Sequence, residues 1–285
     1  MSTDPLALAF RVFRLPTMAA LWEESVVRAE QENWGYRRLL QHLCEAEAQD
    51  RRERRVARLL KESGLPNGKG LGNLDENLLP PKIRRLLPGL LEGGFVDRAE
   101  NVLAFGLPGR GKSHFLAAVA RELILRHGYP VLFTSTFKLV QQLLAAKKNL
   151  RLEAALKHLD RYPLVVLDDI GYVQQDRAEM EVLFTFLAER YERRSVMVST
   201  NLVFSKWDQI FKDPMTTMAA IDRLVHHAVI LEFTGESIRL PKTKNNDKNS
   251  NETPAAQTEP QIRTPQTFNR RGARAKAQSS PPCSF

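Results

Sequence analysis

Gly106-Leu107-Pro108-Gly109-Arg110-Gly111-Lys112-Ser113, followed by His114, matches G-x-x-x-x-G-K-[ST] at every fixed position. Backbone N–H groups that cradle phosphates need close approach, which glycine allows at Gly109 and Gly111. A helix that starts after Gly111 aims free N–H donors and a positive dipole end at the same point. Lys112 would neutralise β/γ-phosphates, and the Ser113 hydroxyl would ligate Mg²⁺. Residues 106–114 thus predict a site for ATP with Mg²⁺. The bland alternative is a glycine-rich turn that binds nothing. The flanks argue against it: an apolar strand precedes the loop at Val102–Phe105, and Leu116, Val119, Ala120, Leu123 and Ile124 line one face of a helix after it.

Leu164-Val165-Val166-Leu167-Asp168-Asp169 supplies a second half: a buried strand ending in two carboxylates. Ligands of open α/β sheets bind at such strand ends. Asp168 would hold the metal, and Asp169 would orient or deprotonate an attacking water. On its own, Asp-Asp after a strand is a turn or a helix cap. The upstream loop tips the reading toward a metal site. Val196-Met197-Val198-Ser199-Thr200-Asn201 ends in an amide that could reach a γ-phosphate or serve a turn. Spacing alone leaves these two open. Arg223, in Ile221-Asp222-Arg223-Leu224, reads from its surroundings as one member of an ion pair on a solvated helix.

These residues need scaffolding, and the chain divides accordingly. Residues 1–66 read as a helical arm, with Met18, Leu21 and Trp22 on one face and Tyr36, Leu39, Leu40 and Leu43 on another. The apolar stripe lapses over residues 45–55. There Glu47 and Arg51, and Asp50 and Arg54, form acid-first pairs four apart. With nothing large to pack, Arg51, Arg52, Arg54, Arg55 and Arg58 are free to meet duplex phosphates; a solvated, self-paired helix is the alternative. Residues 67–98 form a connector with a short helix near Ile83–Leu91. From 99 to 240, five short apolar runs alternate with helical stretches: Val102–Phe105, Val131–Phe133, Leu164–Leu167, Val196–Val198 and Val229–Phe233. That alternation predicts an α/β fold with a buried parallel sheet. Residues 241–285 are too poor in apolar groups to order themselves.

Over the 285 residues the net charge is +9. The last 45 residues hold 8 basic and 3 acidic side chains, so most of the excess belongs to the tail. Bulk charge therefore does not make the folded part a nucleic-acid binder. Cys44 and Cys283 stand far apart without His or Cys partners at metal spacing, which argues against a disulfide framework and against a zinc site. His226 and His227 are adjacent; on a helix they point about 100° apart and make a poor metal pair, so they read as structural. Neither a secretory leader nor a membrane span is evident, and the chain is expected in a bacterial cytoplasm.

Residues 101–240 resemble AAA+ P-loop ATPases of the initiator and helicase-loader clade, to which DnaA and DnaC belong. They resemble the IstB-like ATP-binding proteins more closely. The matching segments are GLPGRGKSHF at 106–115, LVVLDDIGY at 164–172, STNLVFSKW at 199–207, IDRLVHHA at 221–228 and EFTGESIRL at 232–240. LPTMAALWEE at 15–24 and the arginine-rich helix extend the likeness into the arm. The resemblance implies roles for two residues: Asn201 as the polar sensor of the γ-phosphate, and Arg223 as an arginine supplied to a neighbouring subunit. It also implies a helical insertion over 138–159 that faces nucleic acid, where Lys147, Lys148, Arg151 and Lys157 are phosphate-contact candidates or an ordinary solvated face. Arg110 departs from the clade's usual small residue, Asp169 from its Glu, and Arg239 is a weak candidate for a second sensor.

The family reading is an ATPase that oligomerises on duplex DNA without sequence preference, with ATP at subunit interfaces, and assists an IstA-type transposase of an insertion sequence. Two alternatives stand beside it: a DnaC-like loader of a replicative helicase, and a DNA-binding assembly protein whose ATP site switches without turnover.

Overall fold

The computed structural model describes residues 4–170, 177–202, 207 and 214–234, with only the backbone described for 214–217. The tail after 240 and Arg239 lie outside the described residues. Five strands form one parallel sheet: β1 (Asn101–Phe105), β2 (Val131–Ser135), β3 (Leu164–Asp168), β4 (Ser195–Thr200) and β5 (Ala228–Glu232), in the order β2-β3-β4-β1-β5. The α/β class read from the five apolar runs is the observed one. The runs work as strands because each strand side packs a different helical layer. Val102, Ala104, Leu164, Val166, Met197 and Leu231 share one core with α4 (Pro81–Leu91), α5 (Gly94–Asp97) and α6 (Lys112–His127). Leu103, Val165, Leu167, Val196 and Val198 share the other with α7 (Thr136–Lys148), α9 (Arg177–Arg190) and α10 (Pro214–Val225). Between α7 and β3 lies α8 (Leu152–Leu159).

β4 sits between β1 and β3, with Leu103 opposite Val198 and Val165 opposite Val196. The end of β4 therefore lies between the loop after β1 and the carboxylates after β3.

The arm comprises α1 (Pro5–Val12), α2 (Pro16–Gln31) and α3 (Tyr36–Glu62). α3 is continuous through the segment where its apolar stripe lapses, and that segment does pack. Glu47 is only 3% exposed. Its carboxylate accepts from the Thr17 and Met18 amides, at 2.9 and 3.2 Å, at the start of α2, whose own N-cap side chain makes no bond. Thr17 Oγ1 donates to Asp50 at 2.6 Å. The two helices join through a buried carboxylate capping a neighbour's N-terminus, a pattern that a search for apolar periodicity does not see. The far end of α3 joins the core: Leu59 is buried among α4 and α6 residues, and the Ser63 carbonyl accepts from Phe133 N at 2.7 Å on the edge strand β2. No helix among the described residues is long and apolar enough to cross a membrane.

Candidate functional site

The loop between β1 and α6 takes its shape from three glycines. Gly106 has φ 149°, and a Cβ there would lie 2.3 Å from the Phe233 carbonyl oxygen. Gly109 and Gly111 have φ 80° and 84°, the left-handed region that side chains rarely adopt. Gly111 is also the N-cap of α6 and offers no side-chain acceptor, so α6 starts without a side-chain cap. That is the arrangement an anion can complete. Lys112 is 9% exposed, and its Nζ donates to the carbonyls of Gly106 and Leu107 at 2.6 and 2.9 Å. Both acceptors are neutral, so a phosphate would be a stronger partner for this ammonium.

Asp168 gathers the next groups. Its Oδ1 accepts from Ser113 Oγ and from Ser199 Oγ, both at 2.6 Å. Ser199 Oγ in turn accepts from the Asp169 amide at 2.8 Å. One serine of β4 thus holds both members of the Asp-Asp pair. The Thr136 hydroxyl donates to the Asp168 carbonyl at 3.3 Å. Asp169 itself is left-handed, at φ 64°, an uncommon conformation for a residue with a Cβ. Burial and then the Asp168 charge hold its carboxyl above the ordinary aspartate range, while Lys112 draws it partly back. Asn201 Oδ1 is buried without a hydrogen-bond partner among the described residues.

These groups face a cleft of about 340 Å³ lined by residues 108–114, Asp169, Ser199 and Asn201. The opposite wall is the connector: Lys69, Asn73, Leu74, Asp75, Leu78 and Leu79. His114 contacts this wall through its Nε2, 3.2 Å from the Gly70 carbonyl oxygen. Sequence reasoning missed the connector wall and Ser199. The connector has no motif, and Ser199 matters only because β4 inserts between β1 and β3. An orphaned buried carbonyl, a buried ammonium on neutral acceptors, an uncapped helix and a hydroxyl–carboxylate pair are a donor set that fits a nucleoside triphosphate with a divalent cation.

The other candidates lie elsewhere. Arg223 is on α10; its Nη1 donates to its own helix at Ala219 O, 3.1 Å away, and its guanidinium lies 4.7 Å above the Phe184 ring. Asn101 Nδ2, at the start of β1, donates to the carbonyls of Arg223 and Leu224 at 3.3 and 3.1 Å. Arg223 therefore stands at the opposite end of β1 from the Gly106 loop. On α3, Arg51 bonds Glu47 at 2.9 Å and the Arg14 carbonyl at 2.7 Å. Arg54 pairs with Asp50 at 2.8 Å, and Arg55 donates to the Gly128 carbonyl at 3.3 Å. Arg52 and Arg58 are exposed. In the insertion, Lys147 pairs with Glu181 at 2.6 Å. Lys148, Arg151 and Lys157 make no ion pair among the described residues.

Sheet order, phosphate-type loop and paired carboxylates together define an AAA+ P-loop domain. The structure is similar to a replication initiator DnaA bound to AMPPCP and single-stranded DNA, with TM-score 0.50 and 17% identity over 61% of this chain and 52% of that one. It is equally similar to DnaI, with TM-score 0.50 and 20% identity over 60% of this chain and 96% of that one. These likenesses speak to the fold. The chain belongs to the IstB-like ATP binding protein family, whose profile matches residues 9–246. A Sinorhizobium fredii protein named as an insertion sequence ATP-binding protein is 42% identical over 82% of this chain and 78% of its own length. A Geobacillus stearothermophilus protein named likewise is 34% identical over 79% of this chain and 90% of its own.

Proposed function

We propose that the protein binds and hydrolyses ATP with Mg²⁺, assembles on duplex DNA without sequence preference, and assists the transposase of its insertion sequence. The observation that carries the ATPase reading is the convergence of Ser113 and Ser199 on Asp168, with Ser199 also accepting from the Asp169 amide, beside Lys112. Residues 106–114 cradle the triphosphate, and Lys112 leaves the two loop carbonyls for the β/γ-phosphates. Ser113 and Asp168 hold Mg²⁺, which when bound offsets charge on the phosphate oxygens. Asp169, its carboxyl raised by burial, accepts a proton from the attacking water. Asn201 turns its unpartnered carbonyl toward that water, with its amide toward the γ-phosphate. The apolar connector side chains Leu74, Leu78 and Leu79 cover the base.

Arg223 cannot serve the cleft of its own chain from the far end of β1, which supports a role in a neighbour's cleft and so an oligomer with ATP at its interfaces. ATP binding and assembly then favour each other equally. Domain roles follow: 1–66 an arm, 67–98 a connector that walls the cleft, 99–240 the ATPase, and 241–285 a tail dispensable for ATP chemistry. Membership in an insertion-sequence family, and the cations Lys148, Arg151 and Lys157, which make no ion pair among the described residues, support the DNA and transposase parts.

The test is phosphate release by the full chain, alone, with duplex DNA, and with DNA plus the transposase encoded beside it. Turnover should rise with each addition. Arg223→Ala should bind ATP and be inactive, and mixing it with equally inactive Asp169→Asn should restore part of the activity. Mixtures that stay inactive would exclude the shared site. ATP binding without turnover under every condition would leave a static switch.

A further inference from the structure

A second set of side chains converges away from the cleft, in the turn between α10 and β5. The adjacent histidines there would diverge on a continuing helix. Instead α10 ends at Val225, and His227 enters the left-handed region at φ 70°. That reversal folds the imidazoles together, with ring centroids 4.1 Å apart. Glu192, in the turn after α9, joins them: its Oε1 lies 3.6 Å from His226 Nδ1. One ligand atom from each of Glu192, His226 and His227 lies within 4.8 Å of the other two, and all three residues are exposed.

We infer that Glu192, His226 and His227 form a binding site for a divalent transition-metal ion of the Zn²⁺ class. Two imidazoles and a carboxylate are the donors such borderline ions take, whereas Mg²⁺ prefers oxygen ligands and phosphates. This site is therefore chemically distinct from the nucleotide's. Bonds of about 2.0–2.1 Å put tetrahedral ligand atoms roughly 3.4 Å apart. The set must contract by about 1–1.5 Å, which side-chain rotation at an exposed site permits.

A neighbour already orients one ligand. Tyr191 Oη lies 2.8 Å from His226 Nδ1. A bound ion would tie the turn after α9 to the turn after α10. These two helices already touch where the Arg223 guanidinium covers Phe184.

The experiment uses the full chain purified without a polyhistidine tag and stripped with a chelator. Zn²⁺ binding is followed by calorimetry, and Co²⁺ binding by visible absorption. The wild type should bind one ion per chain, and Zn²⁺ should raise its Tm. A ligand loss should cost at least what an outer partner does, roughly 10–100-fold in affinity. That is expected for His226→Ala, for Glu192→Gln, and for His227→Asn, which tolerates the left-handed backbone. His158→Ala should bind like wild type. ATP binding by each variant shows that it folds, and the surface change Glu192→Gln carries the test where a histidine variant does not fold. Absence of stoichiometric binding by the wild type, or unchanged affinity in the folded variants, would overturn the site.

Discussion

The ATP cleft and the arginine-rich stretch of α3 are the two places where the sequence offers polar side chains with a functional reading, and they are built in opposite ways. In the cleft, residues far apart in the chain meet on a single carboxylate oxygen, and one buried carbonyl has no partner among the described residues. On α3, the charges cluster in sequence, and three of the five arginines are absorbed locally. Arg51 and Arg54 return to Glu47 and Asp50 within one turn, and Arg55 fastens the helix to the α6 terminus. Density of charge along the chain is thus a poor guide to a site. Convergence from separate elements, with bonding capacity left over, is a better one.

If that contrast is right, cleft substitutions should change nucleotide chemistry with little effect on folding, and α3 substitutions should do the reverse. The largest effect is expected from Asp169→Asn. Its amide bond to Ser199 survives while the proton acceptor is lost, so single-turnover phosphate release should fall on the order of 10²–10⁴-fold with ATP affinity nearly unchanged. If Asp169 is the base proposed above, its raised carboxyl sets the acid limb: protonation removes it, so wild-type turnover should decline at a higher pH than an ordinary aspartate near 3.9 would dictate. Lys112→Ala comes next. Losing a buried ammonium on the triphosphate should weaken a fluorescent ATP analogue by about 100-fold or more, while the Tm without nucleotide changes little. Wild-type affinity in this variant would remove the cleft from the comparison.

Much of the cleft could be read in advance because its parts are local. The 106–113 spacing is contiguous, and each strand announces itself as an apolar run. The order of the strands could not be read, since nothing in 195–200 says that it pairs with both 101–105 and 164–168. The part Ser199 plays is hidden in the sequence for that reason alone. Residues 69–79 carry no periodicity, so their place as a wall was equally invisible. Glu47 shows the same limit on the other side of the contrast: a carboxylate in a polar stretch is read as solvated until a second helix presents its N-terminus. His226 and His227 depend on where a helix stops, and boundaries are what periodicity resolves least.

Glu47→Ala tests the α3 side. It strips the cap from the start of α2, at a cost of about 0.5–2 kcal/mol, the usual worth of such a cap, with ATP affinity unaltered. The sign of the pH effect follows from the same contacts. Burial alone would raise the Glu47 carboxyl; the Met18 amide, Arg51 and the Thr17 amide outweigh it and hold it below the ordinary range. A depressed folded-state value means the stabilisation is complete above the unfolded value near 4.3 and is lost as pH falls through the folded one. Thermal melts should therefore show the wild type losing its advantage over Glu47→Ala below about pH 4. An advantage that persists there would mean that the carboxylate does not hold the two helices together.

The smallest effect is the one that discriminates best between the regions as DNA surfaces. Each phosphate contact removed should lower the slope of log K against log salt by about 0.9. Arg51 and Arg55 already spend their donors on Glu47 and on the Arg14 and Gly128 carbonyls, so Arg51→Ala and Arg55→Ala should leave the slope unchanged. The exposed Arg52 has no such engagement among the described residues, and Arg52→Ala should lower the slope by about one contact if α3 meets DNA. Lys148→Ala, Arg151→Ala and Lys157→Ala should each do so if the insertion does, while Lys147→Ala, whose ammonium is held by Glu181, should fall short of a full contact. A slope that answers to Arg51 and Arg55 instead would mean that local pairing does not withdraw a cation from DNA, and the contrast between the two regions would fail at its root.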